Sequence, residues 1–188
     1  TNIEDAVAAV VTDAQVEAAE PVYEWGLTDF IDPPIENLPD GTTDPSFDLQ
    51  WHFINAKIPQ AWNHLNTNGV HAGGLHSVVV AVVDSGVDYN HEDLVGNIWT
   101  NPAEIPGNGV DDDGNGFVDD VHGCNVVSDG RSHSGDPIDL HGHGTHVSGI
   151  IAAQAFNGVG GVGVAFNVQI MGIRSAQYSG VLTTTDIA

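Results

Sequence analysis

The stretch HGHGTHVSGIIAA, residues 141–153, holds three histidines and three glycines. Imidazole is the side chain that changes charge nearest neutral pH, so it can act as a general base, a proton shuttle or a metal ligand. A second stretch, VVVAVVDSGVD, residues 78–88, ends a β-branched run on a carboxylate, Asp84. A carboxylate that orients a histidine, which in turn deprotonates a serine, is the logic of the Ser-His-Asp triad. Asp84 and His143 are therefore the candidate triad aspartate and general base. His143 stands between Gly142 and Gly144, so the backbone can pass close to whatever approaches the ring. Taken alone, Asp-Ser-Gly also fits an ordinary strand-end aspartate capping a turn. Ser85 fits either a hydrogen bond near Asp84 or a turn. His146 reads as a packed, hydrogen-bonded helix residue, and His141 as a partly exposed neighbour of the site. A competing chemistry groups His141, His143, His146 and Asp139 as a metal-hydrolase cluster, but it makes the Asp-Ser-Gly strand a coincidence.

The elements that must position these groups follow from the pattern. HSVVVAVVD reads as a parallel strand buried on both faces. HGTHVSGIIAAQ reads as a helix, and NVQIMGIRS as the next strand. IPQAWNHL reads as a short helix with Pro59 near its first turn. Such alternation predicts a doubly wound parallel α/β sheet. Chemistry then sits beyond the carboxyl ends of the strands, where Asp84 falls. Residues 1–25 predict one amphipathic helix and one strand, too little to close a core alone. Residues 26–43 are rich in Pro, Asp, Gly and Thr and read as a linker. Residues 44–188 carry the α/β pattern.

A second constellation is NGVDDDGNGFVDD. Asp111, Asp113 and Asn115 alternate, Gly116 takes the sharp-turn position, the Phe117 carbonyl follows, and Asp119 comes later. This is the order of oxygen ligands in a calcium loop, except that His122 stands where the closing glutamate belongs. The competing reading is a solvated acidic turn.

Composition narrows the function classes. The chain has 188 residues with 26 Asp+Glu against 3 Lys+Arg, a formal charge of -23. Nucleic acid and anionic membrane surfaces are disfavoured as partners, because both need a basic surface. The acidity fits cation binding or a surface suited to salty water. The one cysteine, Cys124, has no partner for an internal disulfide and reads as a small buried residue. Trp25, Trp51, Trp62 and Trp99 read as core or interface aromatics. The first residues carry no signal-peptide pattern and no initiator Met, which predicts a start inside a larger precursor.

The stretches VVVAVVDSGVDYNHEDL and HGHGTHVSGIIAA resemble the Asp and His signatures of the subtilisin-like serine proteases, in the family's order. DPSFDLQWHFINAKIPQAW is similar to the start of the mature enzyme. NGVGGVGVAFNVQIMGIRS resembles the loop and strand after the His helix, with Phe166 where the family has proline. VVTDAQVEAAEPVYEW resembles the end of the inhibitory propeptide. The resemblance implies a secreted serine endopeptidase acting on proteins or peptides, with residues 1–25 the remnant of its own inhibitory propeptide. It implies a structural calcium site at Asp93, Asp44 and Asn157, beside the acidic loop. It also places a substrate-lining strand near Tyr178–Gly180. The family's Gly-Thr-Ser-Met-Ala signature is not found in the chain. The expectation is a subtilisin-like sheet truncated after the first part of the catalytic domain, without its nucleophile. The alternative is a catalytically inactive calcium-binding or substrate-binding module on the same fold.

Overall fold

The computed structural model describes residues 44–127 and 134–176, all within the compact unit Asn37–Ala188. The helix and strand expected in residues 1–25, the linker 26–43, Arg131 and the stretch Tyr178–Gly180 lie outside the described residues.

The described core is a parallel sheet of three strands: β1 Val79–Asp84, β2 Gly123–Asn125 and β3 Gln169–Arg174. Their order is β1-β3-β2, and Asp84 is in register with Arg174. The strands expected over 78–83 and 167–175 are thus present, the second shortened to Gln169–Arg174. β2 carries Cys124, is only three residues long, and has no periodicity to betray it. Two short helices, α1 Trp51–Asn55 and α2 Ile58–Thr67, precede the sheet, with Pro59 in the first turn of α2. Helix α3, His143–Ala152, follows the expected range and packs on one face of the sheet.

Two apolar clusters hold these elements. One joins Val82 of β1, Ile170 of β3 and Ala152 of α3 to Val87, Leu94 and Ile98, with Val147 and Ile151 against it. The other joins Phe47, Phe53, Trp62 and Val162. Phe166 packs edge-on against Trp62 at 5.4 Å between ring centroids, so the aromatic here extends the second cluster. Trp62 donates its Nε1–H to the Val164 carbonyl at 2.9 Å. Trp51, expected in a core or interface, is 68% exposed and so lies outside the core.

The expectation for β1 is burial on both faces. Among the described residues one face is covered: Val82 is buried, while Val79 and Val83 are 39% and 44% exposed. α3 seals the face carrying Val82, and no described element packs on the other.

Candidate active site

β1 ends on Asp84, and α3 begins on His143. The chain turns away directly after Asp84 because Gly86 adopts φ +110°, where a Cβ would meet the Pro137 carbonyl. Gly144 lets the first turn of α3 seat on this corner, since a Cβ there would collide with the Gly86 carbonyl. The result brings His143 Nδ1 to 2.8 Å from Asp84 Oδ1 and 2.9 Å from Oδ2. A carboxylate can only accept, so Nδ1 is the donor, and in the neutral ring the lone pair then lies on Nε2. The His143 side chain is 62% exposed and that of Asp84 17%. The ring is therefore braced on its Asp84 edge and open to solvent elsewhere. Asp84 Oδ1 also accepts the Ser85 N–H at 2.6 Å.

Ser85 is buried and bridges two elements. Its hydroxyl donates to Asp139 Oδ1 and accepts the Gly144 N–H, both at 2.9 Å. Asp139 also accepts the N–H groups of His141, Gly142 and Thr145, and the Thr145 hydroxyl at 2.6 Å. Burial pushes its carboxyl up, but the Thr145 hydroxyl and these three N–H groups outweigh that and hold its pKa down to about 2. With its oxygens engaged by donors, Asp139 is not a free metal ligand. Among the described residues, His141, His143, His146 and Asp139 form no group whose ligand atoms converge, which removes the metal-hydrolase reading. His146 is exposed rather than packed, because the side of α3 it occupies lines an open cleft of about 610 Å³. His141 is exposed, as expected.

The acidic loop brings Asp111 and Asp113 together with Glu104, their ligand atoms all within 4.8 Å of one another. Asp111 accepts the N–H groups of Gly114, Asn115 and Gly116. Asn115 donates to Asp113 and Asp120, and accepts the Phe117 N–H. Asp119 stands elsewhere: its carboxylate accepts the Asn108 and Gly109 N–H groups at 3.1 and 3.0 Å. The third carboxylate beside Asp111 and Asp113 is thus Glu104, which precedes the loop and carries no spacing signal. Glu104 is 7% exposed; its Oε1 accepts two N–H groups and its Oε2 has no hydrogen-bond partner. An all-oxygen donor set with a buried, orphaned carboxylate oxygen suits a hard cation such as calcium.

Asp44, Asp93 and Asn157 are also brought together. Asp44 accepts the N–H groups of Phe156, Asn157 and Gly158. Asp93 accepts from Asn157 Nδ2 at 2.9 Å and the Gly161 N–H at 3.1 Å. Burial raises the Asp93 pKa, and the Asp44 charge adds to that rise, against the pull of the Asn157 and Gly161 bonds. Burial also pushes the half-buried Cys124 thiol up, away from nucleophile behaviour.

Residues 76–188 match the model of the subtilase family, Peptidase_S8. Subtilisin-like protease 1 of Plasmodium berghei (strain Anka) is 46% identical over 117 residues, 62% of this chain and 18% of that protein. The thermophilic serine proteinase of Bacillus sp. (strain AK1) is 30% identical over 187 residues, 100% of this chain and 36% of that protein. A solved protease of Pseudoalteromonas arctica PAMC 21717 superposes with a TM-score of 0.54 at 28% identity, over 78% of this chain and 42% of that one. The chain thus spans less than half the length of each of these relatives. With the parallel α/β sheet and the matched residues together, the chain belongs to the subtilase family.

Proposed function

We propose that the parent protein of these residues is a serine endopeptidase that cleaves peptide bonds in protein or peptide substrates. The observation that carries this reading is His143 Nδ1 held by both oxygens of Asp84, with the remainder of the ring open. In the proposed reaction, Nε2 of His143 takes the proton of a serine hydroxyl as that oxygen attacks the peptide carbonyl. His143 then returns the proton to the departing amine, while Asp84 stabilises the imidazolium and fixes its tautomer. The serine and the asparagine of the oxyanion hole belong to the parent outside these 188 residues. This chain by itself therefore lacks the nucleophile and is inactive.

Calcium is the proposed structural cation. Asp44, Asp93 and Asn157 would hold one ion, and Glu104, Asp111, Asp113 and Asn115 another. Each would neutralise crowded carboxylates and pin a loop. Residues 1–25 are proposed to be the end of an inhibitory propeptide, and the parent to act outside the cell.

The test uses a serine-directed phosphonate and a peptide substrate. The parent is expected to be labelled and to turn over substrate, and the 188-residue chain to do neither. His143→Ala in the parent should lower turnover by about 10⁴-fold or more. A parent that keeps its activity after that substitution would overturn the triad.

A further inference from the structure

We propose that Asp139 is a positioning residue for the aspartate–histidine pair: it clamps the first turn of α3 to the end of β1, and so fixes where the His143 ring stands relative to Asp84. The inference rests on the reading of Asp84 and His143 as the working pair.

The first N–H groups of a helix have no partner within it. At α3 the cap residue is Gly142, at φ +96°, which has no side chain to supply one. Asp139 supplies it from outside the helix. Oδ1 accepts the His141 N–H at 2.8 Å and the Gly142 N–H at 2.9 Å. Oδ2 accepts the Thr145 N–H at 2.9 Å and the Thr145 hydroxyl at 2.6 Å. The bonded positions bracket His143 on both sides. A negative charge is also favoured at a helix N-terminus.

A cap alone would hold α3 together without saying where it sits. The second half of the clamp does that. The Ser85 hydroxyl donates to Asp139 Oδ1 and accepts the Gly144 N–H. Ser85 follows Asp84 directly, and its own N–H donates to Asp84 Oδ1. A closed ring of contacts therefore runs from Asp84 through Ser85, Asp139 and the first turn of α3 to His143, and back to Asp84. Thr145 extends it, because its hydroxyl also accepts the Asp88 N–H at 2.9 Å. Displacing a reacting group by about 1 Å costs on the order of 10²-fold in rate.

The clamp needs a carboxylate. Five donors converge on Asp139, and an amide has one oxygen acceptor and one NH₂ donor. In Asp139→Asn the NH₂ would face N–H or O–H donors on whichever side it lies. The near-isosteric change should therefore act like a truncation.

The experiment is done on the parent protein with Asp139→Asn, Asp139→Ala and Ser85→Ala. Trp62→Phe is the comparison, since it loses a part-buried hydrogen bond in the second apolar cluster, away from the corner. Both Asp139 variants are expected to lower kcat by about 10²-fold with KM within about two-fold of wild type. The low-field proton resonance of His143 Nδ1 should move upfield or broaden in both. Ser85→Ala should give a smaller loss of the same kind, and Ser85→Ala with Asp139→Ala no more loss than Asp139→Ala alone. Trp62→Phe should lower the melting temperature and leave kcat and the resonance in place. Wild-type kcat and resonance in Asp139→Asn would overturn the clamp, as would a loss of kcat that Trp62→Phe reproduces at equal loss of melting temperature. If the Asp139 variants do not fold, Ser85→Ala decides by the same two readouts. His143→Ala keeps the two readings apart: activity without His143 overturns the peptidase reading itself. An inactive His143→Ala beside a fully active Asp139→Asn overturns only the clamp.

Discussion

At the corner between β1 and α3 each carboxylate faces donors. Asp84 meets the His143 ring and the Ser85 N–H, and Asp139 meets three N–H groups and two hydroxyls. In the loop from Glu104 to Asp120 the carboxylates face one another as well as the backbone, and one oxygen of buried Glu104 has no partner. The residue types are the same, but the supply of donors differs. Where the backbone and hydroxyls satisfy the negative charge, geometry is fixed by the protein alone and can serve chemistry. Where they do not, like charges in a partly buried place repel, and a cation is the proposed counterweight. The Asp44–Asp93–Asn157 group lies between: its bonds are made, yet the two carboxylates still push against each other.

The comparison breaks most sharply at Asp84. Asp84→Asn in the parent should keep the fold and the hydrogen bond to His143 but stabilise the wrong tautomer. Steady-state kcat should fall by about 10⁴-fold. The same isosteric change in the acidic loop should leave kcat nearly unaltered at saturating calcium.

The next effect is on stability and changes sign with calcium. Calcium bound only to the folded protein at 100 times its dissociation constant adds about 2.7 kcal/mol. Glu104→Gln should remove much of that increment, read as melting temperature in calcium. In excess chelator the same variant should melt at or above the wild-type temperature, because it relieves repulsion with Asp111 and Asp113. A variant that destabilises equally in both conditions would show that the loop needs no ion. Asp139→Asn, by contrast, should destabilise in both.

A smaller effect separates the two regions by pH. The folded Asp139 pKa of about 2 lies below the ordinary carboxylate value, so its contribution is present above about pH 4 and is lost as pH falls towards about 2. Allowing for solvent screening, the loss should be about 1 kcal/mol. Thermal melts across that window should fall more steeply for wild type than for Asp139→Asn.

The smallest effect concerns the whole surface. With a formal charge of -23, raising sodium chloride to about 1 M shortens the screening length to about 3 Å and should stabilise the parent. At saturating calcium the gain should be about 0.5 kcal/mol, the scale of a few exposed charge pairs. A sugar osmolyte at matched osmolality separates screening from exclusion effects. A flat salt titration would confine the electrostatics to the two acidic loops.

Most of the frame was legible because it rests on periodicity and punctuation. The run ending at Asp84, the helix starting at His143 and the strand over 169–174 all announce themselves by side-chain type. β2 did not, because three residues paired to the far side of β3 carry no period. The one-sided cover of β1 was also hidden, since an apolar run does not say how many faces are packed. At the site, residue types and order pointed to Asp84 and His143. The partners that hold them were less legible. In the sequence Ser85 fits two readings, and Asp139 enters only through the disfavoured metal-hydrolase alternative. Their roles depend on which donors converge in space, and a linear sequence does not order those. Glu104 joined Asp111 and Asp113 for the same reason, while Asp119, in the right place along the chain, turned to Asn108 and Gly109.

The uncovered side of β1 matters for biosynthesis. Among the described residues, Val79 and Val83 form part of an apolar strip on a strand paired along one edge with β3, and an open edge invites pairing with another chain. Chains emerge from the ribosome at about 5–20 residues per second, so a long parent would carry this strip in the open for some time. Mutual repulsion between nascent chains with so few lysines and arginines would keep those strips apart. The acidic composition would then act as a built-in dispersant while synthesis lasts, before any enzyme exists to protect.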